Sequence, residues 1–253
     1  MKLSHEQLAE LDERGFIVLP SLFSVDEVEV LRAAADEILL RRGPEIIPEE
    51  EDENTVKMVF AAHTFNDTFH RLGRHPRLVQ PAEQILGEGV HLFQTRLNAK
   101  SRFNAGGWAW HQDFNQWYRQ DAMRTPRAVV AGVFVDDVNP CNGPVLMIPG
   151  SQRRGHIMAE SMEVSPADVE DAAARGGIVP LMGPPGTMII FDCLVIHGSA
   201  PNISPWPRRI FYCNYSPVSI REMQPLRSVY HCDTEVRAVE PLADDCLLEG
   251  VTA

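Results

Sequence analysis

Apolar positions recur at helical spacing over the first 90 residues and at strand spacing after them. Ser4 with Gln7, and Ser24 with Glu27, have the spacing of capping boxes. In these, a Ser hydroxyl and an amide or carboxylate three residues on satisfy the free amides of a helix start. The first helix is expected to stop at Gly15, with FIVLP following as a short strand. The second carries Val28, Leu31, Ala35, Ile38 and Leu39 on one face and is expected to stop near Gly43. Residues 45–56, EIIPEEEDENTV, are acidic with no apolar period, and they read as a mobile surface loop. Another helical stretch runs from about Asp67 to Leu86, interrupted by Pro76 and Pro81.

From residue 90 the runs VHLFQTRLNAK, WAWHQDF, RAVVAGVFVDDV, GPVLMIPGS, GTMIIFDCLVIHGSA and RRIFYCNYSPV read as short strands, punctuated by Gly, Pro and Asn. One helix is expected among them, from the cap Ser165 and Pro166 to Gly176. This order predicts a mainly β fold, an antiparallel sandwich or jelly roll, with the N-terminal helices packed outside it. No repeat or linker divides the chain. A single domain over residues 1–253 is expected, with a helical part to about 88, a jelly-roll core to about 217 and a C-terminal extension beyond.

Composition narrows the partners. A formal charge of −12 argues against nucleic acid and favours a small soluble ligand. No run approaches the roughly 18 apolar residues of a membrane helix, and the charged N-terminus lacks the apolar core of a signal peptide. The five cysteines are odd in number and show no CxxC spacing, so reduced thiols in a cytoplasmic protein are expected.

The chemistry centres on WHQDFNQWY, residues 110–118. On a strand, His111 and Asp113 would share a face and could reach one ion, although His-x-Asp alone is equally an ordinary piece of polar strand. His197, near the end of another apolar strand, could complete the two-His-one-carboxylate set of non-heme Fe(II) oxygenases, or simply bond a backbone carbonyl. Strand alternation puts Arg208, Ile210, Tyr212 and Asn214 on one face and Arg209, Phe211, Cys213 and Tyr215 on the other. An inward Arg208 needs an anion, and its planar fork suits a carboxylate; the alternative is a solvated strand edge. Gln94, Arg96, Asn98 and Lys100 likewise share a polar face that lines either solvent or a polar lumen.

The runs QTRLNAK, WHQDFNQWYRQDAM, NGPVLMIPGSQRRG and FDCLVIHGSAPNISPWPRR, with the opening LSHEQLAELDERGFIVLPSLFSVDEV, occur in an order and spacing that resemble a known family. They are similar to the phytanoyl-CoA dioxygenase superfamily of Fe(II)/2-oxoglutarate oxygenases, above all its ectoine hydroxylases and bacterial free-proline 4-hydroxylases. The resemblance covers about residues 3–216.

It implies a double-stranded β-helix (jelly-roll, cupin-like) enzyme using Fe(II), 2-oxoglutarate and molecular oxygen. The metal ligands map to His111, Asp113 and His197. The contacts to 2-oxoglutarate map to Arg208, Ser199 and Asn98, with Gln94 between co-substrate and substrate. The aromatic wall of the substrate pocket maps to Trp108, Trp117, Phe191 and Tyr212. Apart from the resemblance, the acidic 45–56 segment is expected to serve as a lid. The ectoine-hydroxylase pattern resembles W-H-S-D-F-E-T-W, whereas Gln112, Asn115 and Gln116 stand here, with Ala122 and Arg124 nearby; ectoine itself is therefore disfavoured. Asp113 disfavours a halogenase, which resembles the same scaffold without the carboxylate. The expected reaction is hydroxylation of a free amino acid, imino acid or related small polar molecule by a monomer or homodimer. Desaturation, cyclisation or epimerisation, zinc hydrolysis and a non-catalytic binding module are the alternatives.

Overall fold

Both capping boxes form. In the computed structural model, which describes residues 1–50, 52–103, 105–158, 162–221, 224–225, 227 and 230–249, Ser4 and Ser24 accept from the backbone three residues on, and Gln7 and Glu27 reach back to the cap amides. Helix α1 (His5–Arg14) ends at Gly15, whose φ of 81° turns the chain into strand β1 (Phe16–Leu19). Helix α2 (Val25–Leu39) ends short of Gly43 and buries Val28, Leu31, Ala35 and Ile38.

The acidic stretch is a hairpin, not a loop. Strand β2 (Ile46–Pro48) pairs antiparallel with β3 (Val56–Phe60). Charge obscured this pairing in the sequence. Glu45 and Glu49 flank β2 yet are buried, because Arg41 Nε meets Glu45 at 3.1 Å and Lys57 Nζ faces Glu49 at 3.8 Å. A carboxylate with a cationic partner can be sequestered where a lone one cannot. The stretch from Asp67 to Leu86 is two helices, α3 (Asp67–Leu72) and α4 (Pro76–Leu86). Pro76 opens α4, where no intrahelical donor is needed, while Pro81 is carried inside the helix.

Strands β4 (Val90–Lys100), β6 (Val129–Phe134), β9 (Met188–Asp192) and β11 (Arg208–Pro217) complete a seven-stranded sheet in the order β1-β9-β6-β11-β4-β3-β2. A four-stranded sheet faces it, built from β5 (Trp108–His111), β7 (Val145–Met147), β8 (Val179–Leu181) and β10 (His197–Ser199) in the order β5-β10-β7-β8. All pairings are antiparallel, and the result is the expected jelly roll. Alternation along β11 divides the two cores. Phe211, Cys213 and Tyr215 pack outward with Leu31, Phe69 and Leu78 of the helices, while Ile210 and Tyr212 pack between the sheets with Phe93, Phe134 and Met147.

Two helices interrupt the strand half. Helix α6 (Pro166–Gly176), capped by Ser165, lies where expected. Helix α5 (Asp113–Gln120) replaces the second half of the WAWHQDF strand. The period changes from two to helical at Gln112, and Phe114 and Trp117 are the buried residues that anchor the new helix. Past β11, the described part of the chain returns along β4. Asp233 N–H donates to Phe93 O and Val239 N–H to Val90 O, and Cys246 and Leu247 close the helical core. No helix among the described residues is long and apolar enough to cross a membrane.

Candidate active site

His111 ends β5 and His197 begins β10. The antiparallel register makes them cross-strand partners, with ring centroids 4.2 Å apart. Asp113 comes from a different element, as the first residue of α5, so His-x-Asp closes across a strand–helix junction and not along one strand face. One ligand atom from each of the three residues lies within 4.8 Å of the others.

The histidine tautomers follow from the backbone. Nδ1 of His111 lies 2.7 Å from Ala109 O, and Nδ1 of His197 lies 3.0 Å from Val195 O. Each carbonyl holds the ring proton on Nδ1 and frees the Nε2 lone pair. The two Nε2 atoms lie 3.6 and 3.9 Å from Asp113 Oδ1. The other carboxylate oxygen, Oδ2, accepts from Arg96 Nη2 at 2.8 Å. Burial alone would raise the Asp113 carboxyl, but the Arg96 charge, with the adjacent histidines, outweighs it and holds the group well below the usual carboxylate range. Burial and then the neighbouring His111 push His197 down to about 3. At neutral pH Asp113 is thus an anionic carboxylate and His197 a neutral imidazole, donors suited to a divalent first-row metal.

The triad lines a cavity of about 610 Å³ together with Asn98, Trp108, Ser199, Arg208 and Tyr212. Arg208 is 1% exposed. Its Nε and Nη2 both donate to Gly143 O, at 3.2 and 2.7 Å, and among the described residues no carboxylate pairs with it. Burial lowers its pKa. Arg209 lies on the opposite strand face, bonded to Asp136 and Asp36. Ser199 Oγ and Asn98 Oδ1 are buried without a partner among the described residues. A buried cation and an unpartnered hydroxyl donor beside a metal donor set fit a chelating dicarboxylate.

Three residues expected at the pocket lie outside its lining. Gln94 is buried, its amide donating to His231 O and its carbonyl accepting from Asn214 Nδ2 at 2.7 Å, so it fixes strand β11 and the returning chain to β4. Trp117 is fully buried, edge-on to Phe93 at 4.9 Å, because the inner face of α5 is anchored between the sheets. Phe191 meets His197 edge-on at 5.1 Å and buttresses the ligand from behind.

Other lining residues carried no such signal. Ile47, Met58 and Phe60 enter from the β2–β3 hairpin, which forms part of the cavity wall. Lys57 Nζ sits 4.7 Å from the Trp108 ring. Gln116, Gln120 and Arg227 also line the cavity. Arg96 was legible only as a member of the polar face of β4.

Residues 11–210 match the phytanoyl-CoA dioxygenase (PhyH) family. The chain is 35% identical over 234 residues to the ectoine dioxygenase of Bordetella parapertussis, covering 85% of this chain and 75% of that one. It is 32% identical over 252 residues to the L-proline trans-4-hydroxylase of Streptomyces griseoviridis, covering 92% and 94%. The crystal structure of EctD from S. alaskensis with 2-oxoglutarate and 5-hydroxyectoine superposes with a TM-score of 0.89 at 34% identity, over 95% of this chain and 87% of that one. With the fold, the donor set and these relatives in agreement, the chain belongs to the phytanoyl-CoA dioxygenase family.

Proposed function

We propose that this non-heme Fe(II)/2-oxoglutarate-dependent dioxygenase hydroxylates an unactivated C–H bond of a free amino acid, cyclic imino acid or closely related small molecule. One observation carries the reading: a two-His-one-carboxylate set shares its cavity with a buried arginine that has no acidic partner among the described residues.

His111, Asp113 and His197 hold the metal. When bound, iron with 2-oxoglutarate and oxygen supplies the oxidising power that a C–H bond requires. Arg208 takes the far carboxylate of 2-oxoglutarate, with the Ser199 hydroxyl as a further donor and the Asn98 side chain contributing through its Nδ2 amide. Tyr212 and Trp108 supply apolar walls that exclude water and orient the substrate. Arg227 adds a donor for a substrate carboxylate. Its Nη1 is buried and has no partner among the described residues, while Nε and Nη2 are held by Asp121. Of the three departures from the ectoine-hydroxylase pattern, Gln116 lines the cavity and Asn115 is bonded to His156. Gln112 also borders the cavity but spends its amide on the carbonyls of Gly155 and Leu194. Gln116, whose amide is held only by a long 3.4 Å bond to Gln120, is thus the departure best placed to meet a substrate.

The test is a panel of amino acids, imino acids, ectoine and their N-substituted relatives with Fe(II) and 2-oxoglutarate, following succinate and an oxygen-bearing product together. One compound giving matched amounts of both identifies the substrate. Succinate that never matches product across carboxylate-bearing candidates overturns the assignment of substrate class.

A further inference from the structure

We propose that Gln112 is a positioning residue that fastens one wall of the cavity to the metal site, so that metal binding steadies the wall and the wall in turn tightens metal binding. The proposal rests on His111, Asp113 and His197 being the metal ligands.

Gln112 stands between two of those ligands and is 0% exposed. Its side-chain amide joins two separate segments. Nε2 donates to Leu194 O at 2.7 Å and to Gly155 O at 3.0 Å, and Oε1 accepts from Ile157 N–H at 2.9 Å. Both amide hydrogens and one lone pair are therefore used. Leu194 precedes Val195, whose carbonyl holds the His197 ring. Gly155 and Ile157 follow the short turn Ser151–Arg154 after β7. Between them, His156 Nε2 lies 2.5 Å from Asn115 Oδ1 of α5, and its ring meets Phe114 edge-on at 4.7 Å. Three consecutive residues are thus tied to the junction that carries His111 and Asp113.

Further along the same chain, Met162 and Glu163 line the cavity. Glu163 pairs with His111 on the edge of β5 away from β10, and Val164 N–H donates to Trp110 O at 2.8 Å. His111 therefore sits between β10 on one side and this wall on the other. Drawing Gly155–Ile157 away from Gln112 would leave buried polar groups unpaired, at about 1–3 kcal/mol each, so the wall and the ligands move as one unit. Ligation fixes the chain on both sides of Gln112, and a coupling between two such parts acts in both directions. Gln112 and Asn115 are two of the three departures from the ectoine-hydroxylase pattern, and both converge on Gly155–Ile157. The Ser of that pattern is too short to join Leu194 O to this segment.

The test compares amide hydrogen exchange at Ile157 in the metal-free and the anaerobic Fe(II)-loaded protein, alongside Fe(II) titration. Fe(II) should slow exchange at Ile157 by about tenfold or more in wild type, since the amide opens only when Gln112 lets go. In Gln112→Ser the exchange should be fast with or without Fe(II), and Fe(II) affinity should fall by about 10–100-fold, the usual range for a group that supports metal ligands from behind. Gln112→Met, which keeps the length and drops the bonds, serves if the Ser variant does not fold. Exchange at Ile157 that ignores Fe(II) in wild type overturns the proposal. So does a variant with a lowered denaturation midpoint but unchanged Fe(II) affinity, because Gln112 would then only hold the fold. Undiminished Fe(II) binding by His197→Ala overturns the underlying ligand assignment instead.

Discussion

Arg96 claims one oxygen of Asp113 and leaves the other to the histidines. Its Nη2 lies 2.8 Å from Oδ2, whereas Oδ1 stands 3.6 and 3.9 Å from the Nε2 atoms of His111 and His197. The pair is buried, at 9% and 2% side-chain exposure, so the arginine both neutralises the carboxylate and fixes its rotation. Replacing Arg96 by Met removes that support and leaves burial, the largest influence on the group, to push the Asp113 carboxyl up. Metal affinity is expected to fall by about 10–100-fold. The loss should be larger at about pH 6 than at about pH 8, because protons then compete for the carboxylate. Anaerobic Fe(II) or Co(II) titration measures it, and unchanged affinity at both pH values would reduce Arg96 to a packing role.

Arg208 and Arg209 are neighbours in sequence on opposite faces of β11, and their variants should separate cleanly. Arg208→Gln is expected to weaken 2-oxoglutarate by at least about a hundredfold, since losing one partner of a buried charge pair costs about 3–5 kcal/mol. Arg209 instead ties Asp136 to Asp36 at the helical face. Arg209→Gln should lower the denaturation midpoint and leave the 2-oxoglutarate dissociation constant nearly unchanged. A reversed pattern would mean that the cavity is built on the other strand face.

Trp117 is the site residue whose expected role the structure moves furthest. Fully buried against Phe93, it anchors α5, the helix that begins with Asp113. Trp117→Ala should cost about 3–5 kcal/mol of stability, the usual range for a large aromatic truncated in a core. Where the variant still folds, metal affinity should drop with it, because α5 carries the ligand. Wild-type stability combined with succinate release outrunning product would return Trp117 to the pocket wall.

The elements that were legible in the sequence are those in which one period and one cap act together. Ser24, Glu27 and the Val28–Leu31–Ala35–Ile38 face determine α2 almost without tertiary help. The alternation of β11 correctly separates Arg208 from Arg209. The β2–β3 hairpin was hidden because its flanking glutamates are buried by partners, Arg41 and Lys57, that no local pattern announces. Helix α5 was hidden by the alternation of WAWH running straight into it. For the site, residue types and order pointed to His111, Asp113 and His197, but not to which of them a helix supplies. Arg96 and Lys100 face inward only because β4 is covered on both sides, which depends on the whole sheet.

Acid should destabilise the protein through its buried neutral histidines. His63, with Nδ1 2.7 Å from Thr95 Oγ1, is held down to about 4 chiefly by burial. The unfolded chain takes a proton there below about pH 6.5, and the folded chain only near 4. Between those values the unfolded state binds more protons, so stability rises with pH and falls on acidification, by up to about 1.4 kcal/mol per pH unit for this group. His75 and His91 are shifted the same way, also by burial, and add to the slope. His63→Asn keeps a polar group near Thr95 and removes the titration. Its denaturation midpoint should therefore fall less than wild type between about pH 7 and about pH 5. Equal slopes in the two proteins would place the acid sensitivity elsewhere.

Arg227 offers the sharpest test of substrate charge. Asp121, buried at 0% exposure, takes Arg227 Nε at 2.9 Å on one oxygen and Nη2 on the other. The guanidinium is thus held in plane by two parallel bonds in a residue that lines the cavity, with Nη1 buried and unpartnered among the described residues. A donor fixed this way recognises a carboxylate at low entropic cost, since its rotamer is already set. Arg227→Met should raise the KM of a carboxylate-bearing substrate by about a hundredfold or more, while the affinity for 2-oxoglutarate, held at Arg208, stays close to wild type. Arg227→Lys should not rescue it, because an ammonium cannot engage both Asp121 oxygens and still present a donor in the same direction. The decisive comparison pairs the substrate with its primary amide. The variant should lose most of its preference for the acid over the amide, and a preference that survives intact would mean that another cation reads the carboxylate.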